Sequence, residues 1–341
     1  MKSTAIRNLS LLATAMTLIV IVLGAYVRLS DAGLGCPDWP GCYGHLGVPN
    51  EAHEIAAANA AHPERQVEAP KAWKEMIHRY VASLLGLVIL IIAGIAWRQR
   101  KNGVGVLLPT ALVGVVIFQG MLGMWTVTLL VQPIIVTAHL MGGMTTLGLL
   151  VWLLLSHSKI NWQGENLLGT GVNKLALATL LVLMLQIFLG GWTSTNYAAL
   201  ACYGFPACSG EWVPEVNLDE AFTMWREVPE GEYDFEGGVI SHAASVAIQI
   251  THRLGAILAT LFIAALAHLV MFRASGALKK LAIASLAALV AQLSLGIGNV
   301  FMSLPLWMAT AHNGGAALLL LCVVSLVFAV TKGLPSGSDN D

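Results

Sequence analysis

Charge is scarce in this chain of 341 residues, since Asp, Glu, Lys and Arg together make up only 11% of it while 57% is hydrophobic. Soluble globular domains carry about 25% charged residues, so the composition excludes that class. The chain also lacks a basic patch, and its net charge of -1 gives no reason to expect nucleic acid as a partner. A linker rich in Pro, Gly or Ser is missing too, so separate soluble domains are not predicted.

Long apolar runs fill the chain instead. Eight of them are long enough to cross about 30 Å of hydrocarbon, which takes roughly 20 helical residues. We therefore predict an all-α membrane protein with eight transmembrane helices. The absence of a convincing cleavage site after the first run favours an uncleaved first helix. The runs cover about 8–27, 76–97, 104–124, 132–155, 174–193, 246–270, 278–298 and 306–330.

Lys and Arg are absent from the short turns at 125–131 and 299–305, whereas the turns after the second and sixth helices are basic. Because positive charge marks cytoplasmic loops, both termini are predicted to be cytoplasmic. The long loops at about 28–75 and 194–245 are then predicted to lie on the outer face. These loops hold, in or near them, 16 of the 19 acidic residues.

The chain repeats itself. The segment "LGAYVRLSDAGLGCPDWPGCYG" aligns without a gap onto "LGGWTSTNYAALACYGFPACSG" with a shift of 166, and later motifs recur with shifts of 173 and 174. Each copy contains four helices, so both copies start on the same side of the membrane. We expect two tandem four-helix bundles related by a pseudo-twofold axis along the membrane normal. The N-terminal half covers 1–160, the C-terminal half covers 161–332, and 333–341 form a disordered tail.

Four histidines stand at similar depth near the outer ends of the even-numbered helices. Ionisable residues inside a span are costly and by default mark function. Two imidazoles from facing helices of one bundle suit axial ligation of haem iron, whereas zinc would need further ligands that are missing at equivalent positions. A histidine that only hydrogen-bonds to a neighbouring helix is the alternative. The four are His78, His139, His252 and His312.

One carboxylate breaks the repeat. Glu75 stands three residues before His78, whereas Gln249 stands three residues before His252. Residues at i and i+3 share a helix face, so Glu75 is expected to face the same space as His78. There a carboxylate can move a proton or stabilise a developing cation. The alternative is an interfacial residue favoured by the helix dipole.

Arginine directly follows one histidine in each half, as Arg79 and Arg253. Both should reach the outer interface, where arginine pairs well with carboxylates such as haem propionates. Snorkelling of the side chain to the interface is the alternative.

The cysteines of the two outer loops have the same spacing, as Cys36–Cys42 and Cys202–Cys208. Outside the cytoplasmic membrane the compartment is oxidising, which favours a disulfide within each pair. Closing so short a ring contributes roughly 2–3 kcal/mol in the chain-entropy model. A redox-active pair that passes electrons is the alternative.

These features together resemble the haem A synthase family, in its bacterial form. The resemblance is carried by "GLGCPDWPGCYG", by "EMIHR" and "HR" at the second and sixth helices, and by "TAH" at the fourth and eighth. It extends over nearly the whole chain. It implies a multi-pass protein of the bacterial inner membrane that oxidises a methyl group of haem O to a formyl group, giving haem A for terminal oxidases.

The resemblance also implies roles for single residues. His252 and His312 would be the axial ligands of a haem b cofactor. His78 and His139 would hold the iron of the substrate haem O, with Glu75 as the catalytic carboxylate. The implied partners are haem O, haem A and the lipid bilayer, with haem O synthase, an electron-transfer partner and a second copy of the chain as further candidates.

Two features depart from the family pattern, namely the pair Cys202–Cys208 and the acidic insert at 211–236. Other functions also remain open. A dihaem b-type electron-transfer cytochrome would explain four histidines but would not need Glu75 opposed by Gln249. A transporter with parallel repeats predicts broken helices or polar residues at mid-membrane depth. A membrane thiol oxidase would leave the histidines without a role.

Overall fold

The computed structural model describes residues 2–160, 170–228 and 234–332 of the chain. Within these ranges the chain forms ten α-helices, two short 3-10 turns and no β-strand. The predicted tail at 333–341, and residues 161–169 at the predicted boundary between the halves, lie outside the described residues. The helices are α1 (Thr4–Leu29), α2 (Ala52–Ala61), α3 (Ala69–Arg98), α4 (Leu107–Thr128), α5 (Pro133–His157), α6 (Thr170–Thr195), α7 (Leu218–Ala221), α8 (His242–Arg273), α9 (Gly276–Phe301) and α10 (Leu306–Lys332).

Eight of the described helices are long and apolar enough to cross a bilayer, namely all except α2 and α7. This confirms the predicted all-α class and the number of spans. Several helices begin earlier than their apolar runs, among them α3 at Ala69, where the difference is largest, and α8 at His242. The starts of these two helices follow local chemistry rather than hydropathy. Proline stands in the first turn of α3, and the Ser241 side chain accepts a hydrogen bond from the Ala244 N–H at the start of α8.

We call the membrane helices α1, α3, α4 and α5 the first group, and α6, α8, α9 and α10 the second group. In the first group α1 contacts α3 and α5, and α4 contacts α3 and α5. In the second group α6 contacts α8 and α10, and α9 contacts α8 and α10. The groups meet where α10 contacts α1 and α5 and where α5 contacts α6. The largest buried apolar cluster, which includes Met144, Leu266 and Leu320, draws on both groups.

The first long loop, between α1 and α3, is packed onto the start of α3. Its disulfide-bonded cysteines are fully buried and share an apolar cluster with Tyr43, Ala58, Ala72 and Met76. The short helix α2 was not predicted. Its start carries a capping box between Glu51 and Glu54, which supplies hydrogen-bond partners for the first backbone N–H groups.

The acidic insert connects the second long loop, between α6 and α8, to the first half. The Gln132 side chain donates to the Arg226 carbonyl at 2.6 Å, and Arg65 forms an ion pair with Asp234 at 2.8 Å. Phe235 is only 3% exposed and packs in a cluster with residues of the first half. The insert therefore joins the outer loops of the two halves.

Candidate functional site

The four predicted histidines form two pairs, one in each group of helices. His78 on α3 lies within electrostatic range of His139 on α5, and His252 on α8 within range of His312 on α10. All four residues are only half-buried. Each pair comes from diagonal helices of its group, because neither α3 and α5 nor α8 and α10 are among the strongly packed neighbours. The rings can thus approach the middle of a bundle from opposite sides.

Each imidazole lies against a glycine of the preceding membrane helix. The pairs are Gly24–His78, Gly123–His139, Gly190–His252 and Gly296–His312, where Cε1 lies 2.9, 3.5, 3.2 and 2.9 Å from the position that a Cβ of the glycine would take. Any side chain at the closest of these positions would push the ring away, since interiors are close-packed. These glycines were not among the site residues predicted from the sequence. The repeat carries the signal, because they recur with the same shifts of 166 and 173 as the segments around them.

Ring nitrogens are left unpaired in both pairs. Within the described part of the chain, Nδ1 of His78, His139 and His312 is buried and has no hydrogen-bond partner. An unpaired buried polar atom is costly, which makes a bound ligand the natural partner. No group of three or more His, Cys, Asp and Glu side chains in the described residues could hold a metal ion by itself. Two facing imidazoles fit the axial positions of a haem iron.

Glutamine side-chain amides lie close to some of these imidazole rings. Gln119 and Gln292, which recur with the repeat, pack against Gly142 and Gly315 on the neighbouring helices. The Gln292 Nε2 atom also lies 3.4 Å from Nε2 of His312. A third amide, absent from the sequence prediction, is Gln186, whose Nε2 atom lies 3.1 Å from Nδ1 of His252.

Glu75 lies beneath the first disulfide loop and is only 5% exposed. Its Oε2 accepts a hydrogen bond from the Cys36 N–H at 2.9 Å, and its Oε1 pairs with the Arg79 guanidinium one turn further along α3. Charge-assisted bonds of this kind are among the strong ones in proteins. At the equivalent position of α8 stands Gln249, which is 4% exposed and whose Oε1 has no partner in the described residues.

Arg79 and Arg253, the two arginines predicted to bind haem propionates, each hydrogen-bond to one of the disulfide loops. Arg79 donates to the Asp38 carbonyl at 3.0 Å, and Arg253 donates to the carbonyls of Cys202 and Gly204 at 2.8 and 2.9 Å. Each arginine therefore fixes the disulfide loop of its own half above its own histidine pair. The guanidinium of Arg79 has the carboxylate of Glu75 as a further partner, whereas that of Arg253 binds carbonyl oxygens.

Both predicted disulfides are confirmed, since Cys36–Cys42 and Cys202–Cys208 are each bonded at 2.03 Å. The two loops also close in the same way. In each loop the N–H of the second cysteine donates to the carbonyl three residues later, at 2.8 and 2.9 Å. The repeat thus extends to the local structure of both loops.

Eight membrane-length helices, with two histidine pairs that each lie beneath a disulfide-closed loop, are typical of a polytopic membrane protein. A family model described as a cytochrome oxidase assembly protein, COX15-CtaA, matches residues 7–324. The chain therefore belongs to the COX15-CtaA family.

Known relatives agree with this assignment. A protein of Shewanella oneidensis named Heme A synthase is 45% identical over 311 residues, which cover 91% of this chain and 92% of that protein. Proteins with the same name from Shouchella clausii and Mesorhizobium japonicum are 25% and 27% identical over 337 residues each. The alignments cover 96% and 92% of this chain and 97% and 87% of those proteins. The resemblance found in the sequence is confirmed.

Proposed function

We propose that this protein oxidises a ring methyl group of haem O to a formyl group and so makes haem A. The observation that carries the proposal is the presence of two histidine pairs in a chain that is 45% identical, over 91% of its length, to a protein named Heme A synthase. The carboxylate above one pair, matched by an amide above the other, supports an enzyme with two unlike sites.

The second pair is assigned to a resident cofactor. His252 and His312 would be the axial ligands of haem b, which when bound supplies one-electron transfer. The unpaired Nδ1 of His312 and the Gln186 contact to His252 support this assignment. The first pair, His78 and His139, would then hold the iron of haem O, and each of its rings has a buried Nδ1 atom without a hydrogen-bond partner in the described residues.

Glu75 is assigned the chemistry at the methyl carbon. Turning a methyl group into a formyl group removes hydrogen from that carbon and adds one oxygen, so the site needs a group that receives protons or stabilises positive charge. Glu75 is a buried carboxylate held by the Cys36 N–H and by Arg79. The packed loop above it limits the access of water from the outer side, which strengthens its electrostatic effect on the substrate. Arg79 and Arg253 are assigned to the haem propionates as well as to the loops.

We further propose that the halves, 1–160 and 161–332, are two bundles related by a pseudo-twofold axis along the membrane normal. The packing pattern supports this, because replacing each helix by its counterpart reproduces the contacts within and between the groups. Two positions also meet their own counterparts at shift 166. The Tyr197 hydroxyl donates to the Asp31 carboxylate at 3.1 Å, and Arg28 donates to the Ser194 carbonyl at 3.0 Å. Contacts between equivalent positions are expected near a twofold axis.

The bacterial inner membrane is the proposed location, with both termini in the cytoplasm and the long loops outside. The bacterial relatives and the eight apolar helices support it. Haem O synthase, an electron-transfer partner on the outer face and a second copy of the chain are proposed partners. The insert at 211–236 is a candidate docking element for the electron-transfer partner, since it lies on the same face as the loops.

The glycines behind the histidines give a graded prediction. Gly296→Ala should displace His312 and lower haem b content strongly, Gly190→Ala should lower it less, and Gly24→Ala should spare haem b but impair the oxidation of haem O. The distances of 2.9, 3.2 and 2.9 Å set this order. Gly114→Ala is the control, because a Cβ there meets nothing within 4 Å. Haem b per protein is read from the reduced spectrum, and equal content in all four variants would contradict the prediction.

The proposed function is tested by the pigments of the purified, full-length protein. Extracted haems identified by mass should include haem B together with haem O or haem A. Haem B alone would instead support the dihaem cytochrome, and a protein without haem would contradict both histidine assignments.

A further inference from the structure

His252 differs from the other three histidines in the part of the chain that is described. Its Nδ1 has a hydrogen-bond partner, the amide of Gln186 at 3.1 Å, whereas Nδ1 of the others has none. The Nε2 atom of the same amide donates to the His252 carbonyl oxygen at 3.1 Å, so the amide contacts both the ring and the backbone of this residue. One side chain on α6 therefore fixes both the ring and the backbone of His252 on α8.

Gly255 makes room for this amide. It stands three residues after His252, and the position that a Cβ would take at Gly255 is occupied by the side-chain amide of Gln186. A larger residue at 255 would move the amide away from the ring. Gln186 and Gly255 thus work as a matched pair.

The first half lacks both members of this pair. At the shift of 166 from Gln186 stands Val20, and at the shift of 174 from Gly255 stands Val81. Neither valine side chain can hydrogen-bond to an imidazole, and Val81 carries a side chain at the position where Gly255 has none. The duplicated histidines His78 and His252 therefore have different support.

We infer that Gln186 is a positioning residue that fixes the ring of His252, so that the second site retains its haem while the first site can exchange it. The inference rests on the proposed function. A histidine that binds iron through Nε2 carries its proton on Nδ1, and a partner at Nδ1 fixes the ring and makes it a stronger donor. The Gln186 amide carries an oxygen that could accept from that proton after a half-turn, in which case its bond to the His252 carbonyl is given up. His78, which must release product, has no such partner.

Three variants of the full-length protein test the role of Gln186. Gln186→Val installs the residue of the first half, Gln186→Glu keeps an acceptor and adds charge, and Leu185→Val is a control at a 53% exposed neighbour. Loss of such a partner typically costs about 10- to 100-fold in affinity for the bound metal, so Gln186→Val should release haem b faster by a similar factor. A stronger acceptor makes the imidazole more electron-rich and lowers the reduction potential of haem b.

The potentials should therefore rise in the order Gln186→Glu, wild type, Gln186→Val, with Leu185→Val equal to wild type. A purely structural role would move both Gln186 variants in the same direction, and equal potentials in all proteins would equally overturn the inference. Wild-type protein that holds no haem b would contradict the proposed function itself.

The first half offers an independent test that does not disturb the haem b site. Val20→Gln combined with Val81→Gly installs the missing pair beside His78. Haem O added to the purified variant should dissociate at least about tenfold more slowly than from wild type. The control is Val20→Gln alone, where position 81 keeps its valine side chain and no slowing is expected. Equal dissociation from the double variant and wild type would overturn the inference.

Discussion

Glu75→Gln should lower the formation of haem A by about 10²- to 10⁴-fold and leave haem b bound, because general acid–base groups contribute on that scale. The amide has nearly the shape of the carboxylate but cannot take up a proton or oppose positive charge. The fold should tolerate the change, since the second half carries glutamine at the equivalent position, Gln249. The measurement is haem A per protein in membranes, with pigments identified by mass, beside the reduced spectrum of haem b.

Glu68→Gln is the matched control for this experiment. Glu68 precedes α3, its side chain is 62% exposed, and it forms an ion pair with Lys71 at the surface. Exposed ion pairs contribute little, so this variant should make haem A normally. Normal haem A production by Glu75→Gln would remove Glu75 from the reaction and leave it as a residue that anchors the Cys36 loop.

His252→Ala should abolish the haem b spectrum. On the proposed assignment, the change removes one of the two axial ligands, and the other, His312, comes from a different helix. One imidazole alone would hold the haem less tightly, and the Gln186 amide would lose its partner as well. Absorption spectra of the purified protein, oxidised and reduced, measure the outcome.

Two further variants are compared with His252→Ala. His53→Ala, in the first outer loop with a 78% exposed side chain, should keep the full spectrum. His78→Ala should also keep haem b but lose the oxidation of haem O, because it removes a ligand of the other pair. An unchanged haem b spectrum in His252→Ala would count against the ligand assignment, and loss of haem b in His78→Ala would count against two separate sites.

The membrane helices were predictable because hydropathy reports directly on the hydrocarbon they cross. The eight runs match eight helices, yet α3 begins at Ala69 rather than near 76. The added turns lie at the outer end, where proline and packing against the disulfide loop, rather than apolar character, set the start of the helix. Helix α2 escaped prediction for a similar reason, since its capping box is a local signal outside any apolar run.

The histidine pairs could be predicted from the repeat, but the residues that contact their rings could not. A single glycine is common in a membrane helix, and the sequence does not say which helix packs on which, so the contact of Gly296 with His312 needed the structure. The bond between Glu75 and the Cys36 N–H likewise depends on how the first outer loop folds back over α3. Gln186 is the exception, since a comparison with Val20 across the repeat already marks it as different.

The most direct test of the proposed activity is the conversion of haem O to haem A in a bacterial host that makes haem O but no haem A. Membranes that contain the wild-type chain should yield haem A, identified by the mass of the extracted pigment, and membranes with Glu75→Gln should yield only haem O and haem B. Haem O that stays unchanged in the presence of folded, haem b-containing wild-type protein would contradict the proposed activity and leave an electron-transfer cytochrome in its place.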